Sequence, residues 1–570
     1  MLMKLKNISF PLLIILVGVL FSLYLQGQIA DGVYFSGDAG LKALLAQQLS
    51  RGEFRFDLIP PTQTWVSNLW NDGLYPYEEP FVYNVENKYY ITFPYTFPLV
   101  TAPFYALFGY RGLYVIPLLA TWIIWLNVYY LCRRLKFSQF STALALIILI
   151  FSSYLTIYSA TYWEHTLAVC LCLAGMTLLV TSYPKSLSIP SAIIGGSLIG
   201  FSVWFRPEFL CVVGIVSGLV AIAFLGFLFK NKLLAQISFL SKNKEILVAS
   251  MFLTVGAFFL ANKLIYNHAL GIHGIQIVEK ISLTDRLLAA WQNFQGMSLG
   301  LFIYLPILYF PLLYLLIYLV QQFKFLSYQR SLFIIFVFFL LSIVAWIVLY
   351  RYDIGSFKNL IKQISPHIFI SIIALYIFRN IKIKFDFYLI VIYLICLIFI
   401  IEVAYLVPVG TAGLIAGGKQ WGPRFLLILV PIISLVTPIA LEKLPSNSQP
   451  IAKYFALLVV ILLITIGTQK NILQAKSFLS ENNQNTLPAI QFLRQNPERV
   501  VAISHQFVGQ ALEPSVEGEK FFFKVEDEQE LIQLSKALVQ QQQPKFTYIC
   551  YPNHDCKLPT IDPDNLQFTY

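Results

Sequence analysis

FPLLIILVGVLFSLYLQGQ, residues 10–28, carries no charged side chain and follows Lys4 and Lys6. At 1.5 Å per residue, a helix of that length crosses most of the ~30 Å hydrocarbon layer of a membrane. The apolar core is long for a signal peptide, and no small-x-small cleavage site follows. The block is therefore expected to be a retained anchor with its N-terminus in the cytoplasm. Working outward, similar blocks recur at 112–132, 140–158, 163–181, 189–205, 208–229, 247–266, 299–320, 331–350, 361–378, 386–407, 424–441 and 452–468. Water is absent from the bilayer core, so long apolar runs must satisfy their backbone internally, as helices. A further apolar stretch, 94–108, is expected to be a re-entrant or interfacial helix.

Composition agrees with this reading. Of 570 residues, 58% are hydrophobic and 12% charged, about half the charge that coats a soluble chain. The net charge of +11 does not point to nucleic acid, because the basic residues are scattered between apolar blocks, where the positive-inside rule puts them. Arg133, Arg134 and Lys136, then Lys185, then Lys230, Lys232, Lys242 and Lys244, mark alternate loops as cytoplasmic, as do Lys324 and Arg330, Arg379, Lys382 and Lys384, and Lys443 and Lys453. The first outside loop, 29–93, has eight acids against four bases. The expected fold is an all-α polytopic membrane protein of about thirteen spans, occupying 1–470. A small α/β domain follows at 471–570, outside the membrane. Its expected elements are a helix at 486–495, strands at 499–504, 520–525 and 545–551, and a helix at 527–540. Cys550 and Cys556 are the cysteines of that domain; a pair or two free thiols both fit.

Ionisable groups at membrane edges are costly and so are functional candidates. Asp38, in Ser36-Gly37-Asp38-Ala39-Gly40, precedes a segment whose Leu41, Leu44, Leu45 and Leu49 share one helical face, as for a helix lying on the outer membrane surface. Asp38 reads as an N-cap or as a general base. Glu164 and His165 open the fourth span: the acid suits the helix dipole, or positions an acceptor or a metal. Arg206-Pro207-Glu208 is a polar hairpin, or a site where the arginine fork binds a lipid phosphate. Lys419 and Arg424, in Gly417-Gly418-Lys419-Gln420-Trp421-Gly422-Pro423-Arg424, stand where a cation opposes the helix dipole, so an anion is the simple partner.

Taken together these pieces resemble the GT-C membrane glycosyltransferases, among them the protein O-mannosyltransferases and the aminoarabinose transferases of lipid A. The resemblance rests on the short first span with a long acidic loop and early aspartate. It also rests on Asn87 through Pro94, Pro98 through Gly109, Arg206-Pro207-Glu208 and Trp421 through Phe425. It covers 1–470. It implies transfer of a sugar from a polyprenyl-phosphate donor to a glycan, lipid or protein acceptor on the outer face of the plasma membrane. Asp38 would be the base, and Lys88, Arg206 and Arg424 the phosphate-binding cations. Two departures stand out: Ala39 replaces the second acid common after the aspartate, and Thr92 stands where relatives often have a lysine. No firm cofactor is implied, and a divalent metal is left open. A polymerase or ligase of lipid-linked sugars, built on His268, His273, Asp285 and Arg286, is an alternative. A transporter is another, and would need inverted repeats and midplane charges.

Overall fold

The computed structural model describes residues 9–182, 187–228, 243–272, 282–322, 387–407, 420–444, 450–543, 545–551 and 567–569. Among these, five helical runs are long and apolar enough to cross a membrane: Thr96–Arg134, Pro207–Leu225, Lys244–Tyr266, Tyr388–Leu406 and Ile451–Gln495. A pair, Leu283–Tyr304 and Pro306–Leu319, would make a sixth, bent by 100°. Shorter apolar helices are Phe10–Gln26, Gln139–Phe151, His165–Thr181, Ile189–Phe205 and Leu429–Glu442. Leu253 and Leu264, on Lys244–Tyr266, are 77% and 78% exposed. Such surfaces are unfavourable in water and natural against lipid tails.

The helices that matter below are α1 (Phe10–Gln26), α2 (Gly37–Ser50), α3 (Thr64–Leu69), α4 (Thr96–Phe108), α5 (Val115–Arg134), α6 (Gln139–Phe151), α7 (His165–Thr181), α8 (Ile189–Phe205), α9 (Leu210–Leu228), α10 (Lys244–Tyr266), α11 (Leu283–Tyr304), α12 (Tyr309–Gln322), α13 (Phe387–Leu406), α14 (Leu429–Glu442), α15 (Pro450–Thr468) and α16 (Ala475–Gln495). Strands β1 (Val82–Val85) and β2 (Lys88–Ile91) form an antiparallel hairpin in the loop between α3 and α4. Helices α7, α8 and α10 pack side by side. Their closeness depends on small residues: a Cβ at Gly196 would stand 2.1 Å from the Leu247 carbonyl oxygen. Membrane helices approach through such glycines because apolar area alone gives no preference for protein over lipid.

Expected spans 331–350 and 361–378 lie outside the described residues. Each of the others coincides with a described helix or part of one, with three corrections. The span expected at 140–158 ends at Phe151. The Ser153 and Thr156 hydroxyls there donate to the Leu149 and Ile150 carbonyls, competing with the helical ladder, and a 3-10 turn follows at Thr156–Ala160. The span expected at 299–320 breaks at Pro306 into α11 and α12, as a missing amide dictates. The span expected at 424–441 starts late, because Arg424–Leu426 is a 3-10 turn and α14 begins at Leu429.

The final membrane helix, α15, continues through a π-helical stretch, Gln469–Gln474, into α16. Beyond it lie β3 (Val500–Ile503), α17 (Gln506–Leu512), β4 (Phe521–Lys524), α18 (Glu528–Gln540), β5 (Lys545–Ile549) and β6 (Gln567–Thr569). The strands form one parallel sheet, in the order β4-β3-β5-β6. Sequence reading places three of these strands and misses α17, β6 and the first half of α16. Cys550 is disulfide-bonded; Cys556 lies outside the described residues.

The α/β unit shares a core with the segment 29–93. Leu41, Leu45, Val66, Trp70 and Tyr75 pack with Phe521, Phe523, Leu531 and Leu534. The Trp70 indole N–H donates to the Phe522 carbonyl at 3.0 Å, and Lys524 pairs with Glu78 at 2.6 Å. The Tyr77 hydroxyl donates to Glu513. Burial pushes the Glu513 and Glu517 carboxyls up to about 7, opposed by the Tyr77 hydroxyl at the first and by Arg51 at the second. Helix α2 is enclosed by this arrangement. Every residue from Ala39 to Leu49 is buried, so α2 does not lie on a membrane surface with one face in water. A Cβ at Gly40 would stand 1.8 Å from the Gln510 carbonyl oxygen, so α17 fits against α2 only because that position is glycine.

Candidate active site

Helix α2 delivers two ionisable groups one turn apart, Asp38 and Lys42, which therefore share a face. Ser36 is the N-cap residue, and Asp38 sits in the first turn, so Asp38 is not the cap. Its carboxylate accepts from Arg424 Nη1 at 3.3 Å. The Asp38 side chain is 16% exposed, whereas Lys42 and Glu164 are fully buried.

Glu164 occupies the N-cap position of α7 but makes no capping hydrogen bond. Its carboxylate instead joins two elements distant in sequence. Lys42 Nζ donates to Oε2 at 2.5 Å, and Arg206 Nη1 to Oε1 at 2.9 Å. Arg206, where α8 ends, also donates from Nε to Glu208 at 2.8 Å. Proline at 207 stops the helix and turns Glu208 back beside the arginine. Arg206, Glu208 and Arg424 are all buried.

Aromatic rings enclose these charges. The Arg206 and Arg424 guanidinium carbons lie 5.0 and 5.2 Å from the Phe425 ring centre, and Arg424 lies 4.8 Å from Trp163. Lys42 sits 4.4 Å over Phe93. Cation–π contacts strengthen where water is excluded. His165 stands between Tyr158, Trp163 and Phe425, at ring distances of 5.7, 5.4 and 6.3 Å. A small cavity lined by Thr92, Phe93, Pro94, Pro207, Asn262 and Tyr266 adjoins Lys42 and Arg206 through Phe93 and Pro207. The Thr92 hydroxyl is buried there without a hydrogen-bond partner.

The sequence candidates thus divide. Asp38, Glu164, His165, Arg206, Glu208 and Arg424 come together from the starts of α2, α7 and α14 and the junction of α8 with α9. Lys88 does not join them: it is exposed on the β1–β2 hairpin, opposite Val85. Lys419 lies outside the described residues, as does His273. Asp285 is exposed in the first turn of α11; its amide donates to the N-cap Ser282 and its carboxylate accepts from the Ser282 hydroxyl at 2.6 Å, and His268 Nδ1 accepts from the Leu270 amide. Arg286 stacks on Tyr405 at 4.9 Å. Sequence reading missed Lys42. The available signal was a lysine four residues after Asp38 inside an otherwise apolar run.

Three cations face three carboxylates, and the two deepest acids are saturated by Lys42 and Arg206. Such a network is costly to desolvate and disruptive to break. Beside it stand Asp38 and Arg424, paired with each other, Asp38 being the least buried of the six. Among the described residues no group of three or more His, Cys, Asp or Glu is placed to hold a metal. Glu164 and Glu208 face cations rather than an open coordination site.

No family model matches the chain, and no curated protein does. Among solved structures, the chain is similar to ArnT from Cupriavidus metallidurans bound to undecaprenyl phosphate. The TM-score is 0.48, with 11% identity over 93% of this chain and 88% of that one. It is also similar to the Archaeoglobus fulgidus oligosaccharyltransferase AglB in complex with an inhibitory peptide and a dolichol-phosphate. There the TM-score is 0.42, with 13% identity over 90% of this chain and 64% of that one.

Proposed function

We propose that the chain is a GT-C membrane glycosyltransferase that moves a sugar from a polyprenyl-phosphate donor to an acceptor on the outer face. One observation carries this: Asp38, the least buried acid of the ion network, stands 3.3 Å from the Arg424 guanidinium. Transfer needs both. An acceptor hydroxyl attacks the anomeric carbon, its proton passes to Asp38, and the bond from that carbon to the phosphate oxygen breaks. The phosphate leaves with the bonding pair, and Arg424 stabilises its charge. Glu164, Lys42, Arg206 and Glu208 act as the frame that fixes both groups. This changes the roles the sequence suggested for Arg206 and Glu164: the Glu164 oxygens pair with Lys42 and with Arg206 Nη1, and Arg206 Nε pairs with Glu208.

The resemblance in Arg206-Pro207-Glu208 and Trp421 through Phe425 supports the same reading, since both motifs converge on this network. The polymerase alternative would put its chemistry on Asp285 and His268, which hold local helix and turn bonds instead. The test is release of polyprenyl phosphate by nanodisc-embedded protein supplied with lipid-linked sugars and a crude acceptor extract. Asp38→Asn is expected to slow release by ~10²–10⁴-fold, the usual contribution of a general base. Equal release by both proteins would remove Asp38 from the mechanism. No release from any donor by folded wild type would overturn the reading.

A further inference from the structure

His165 is 2% exposed, and neither of its ring nitrogens has a hydrogen-bond partner. Buried polar atoms are nearly always paired, so each exception calls for an explanation. A second exception lies close by. The Nε of Arg424 is also buried and unpaired, and its guanidinium rests on Trp163 and Phe425, two of the rings that enclose the imidazole. One aromatic enclosure thus contains a cationic donor and a ring with one donor and one acceptor when neutral, both with buried nitrogens left without a partner.

The surrounding charges narrow that ligand. Both Glu164 oxygens are engaged, by Lys42 and by Arg206, and Arg206 also holds Glu208. Asp38 is already shared with Arg424. Glu402, whose Oε2 is buried and unpaired, lies against Cys211 of α9. An ammonium group placed beside His165 would be a fourth cation beside Arg206, Arg424 and Lys42, whose three carboxylates each already hold one of them. A hydroxyl meets no such penalty: it can donate to the imidazole's bare nitrogen or accept from its N–H.

We propose that His165 receives a hydroxyl of the transferred sugar while Arg424 Nε binds an oxygen of the donor phosphate, so that the sugar carried on that phosphate is an uncharged one and not an amino sugar. This deepens the glycosyltransferase reading and rests on it. His165 is then a specificity-determining residue, acting on the sugar and not on the lipid.

The test uses the full chain in nanodiscs and measures binding of undecaprenyl phosphate, of its glucose, galactose and mannose derivatives, and of the 4-amino-4-deoxy form of each. At least one neutral sugar is expected to tighten binding ~10-fold over the bare lipid, a gain within reach of a few hydrogen bonds. Its amino counterpart is expected to show no gain. His165→Phe should erase the gain and leave binding of undecaprenyl phosphate unchanged. His165→Asn keeps a donor and an acceptor in a smaller side chain, and should retain part of the gain. It also provides the comparison if the Phe variant does not fold. The proposal is overturned if no neutral sugar adds to binding, if an amino form binds as well as its neutral parent, or if the folded His165 variants keep the full gain. Failure of wild type to bind even undecaprenyl phosphate would instead remove the parent reading, and this one with it.

Discussion

Glu164→Gln separates the network's structural role from its chemical one. The substitution keeps shape and removes one charge, leaving Lys42 and Arg206 facing an amide at the positions now 2.5 and 2.9 Å from carboxylate oxygens. Arg206 retains Glu208, so Lys42 suffers most, having no other salt-bridge partner among the described residues. Breaking a buried pair from one side costs ~3–5 kcal/mol, because the surviving charge stays desolvated. Lys42 can shed its proton, which caps the loss near the lower figure, ~3 kcal/mol. Pairing the change with Lys42→Met removes the orphan charge and should recover at least ~1.5 kcal/mol, a coupling typical of residues in contact. The assay is reversible unfolding in mixed micelles of wild type, both single variants and the double variant. The reasoning fails if Glu164→Gln unfolds within ~0.5 kcal/mol of wild type, or if the double variant loses the sum of the two single losses.

Other expectations follow from the same geometry. Arg424→Lys should lower polyprenyl-phosphate release by ~10²-fold or more. A point charge cannot both stack on Trp163 and present a planar fork to Asp38 and a phosphate, and near-wild-type rates would refute that role. Gly40→Ala places a Cβ against the Gln510 carbonyl and should cost ~1–3 kcal/mol, read as a lowered melting temperature together with reduced activity. The Glu513 carboxyl, pushed up by burial to about 7, binds its proton more tightly folded than unfolded. Its contribution is complete below the unfolded value of ~4.5 and lost as pH rises through 7. Hydrogen exchange across 506–516, corrected for intrinsic rates, should show weaker protection at pH 8 than at pH 5. Glu513→Gln should shrink that difference, leaving the part owed to Glu517, which burial also pushes up to about 7, and a pH-independent wild type would refute it.

The membrane helices were legible because continuous apolar runs have one solution in a bilayer. What sequence misplaced were the ends. Hydroxyls at 153 and 156 and proline at 306 redirect the backbone by hydrogen bonds and missing amides that hydropathy averages away. The candidate site was legible where a costly residue stood at a span end: Asp38, Glu164, Arg206 and Arg424. Lys42 was not, because a single lysine in a helix is usually a solvated one, and only the tertiary packing of α2 shows that water is absent. Lys88 illustrates the converse. It sits in a motif-like stretch, but it is the exposed first residue of β2, next to the hairpin turn, while Tyr89, Tyr90 and Ile91 after it are buried.

Helix α2 comes early in the chain, yet α17, which closes over it, comes near the end. Gln47 donates to the Pro514 carbonyl at 2.7 Å, and Gly40 meets Gln510. The consequence is one of timing during synthesis. The aspartate read as the base emerges near the start of translation, but its helix cannot reach the enclosure described here until the last segment has been made and folded against it. Our hypothesis is that half-made chains are inert towards lipid-linked sugar. A chain truncated after residue 495 that inserted and still released polyprenyl phosphate at the full rate would show that the closure is not needed.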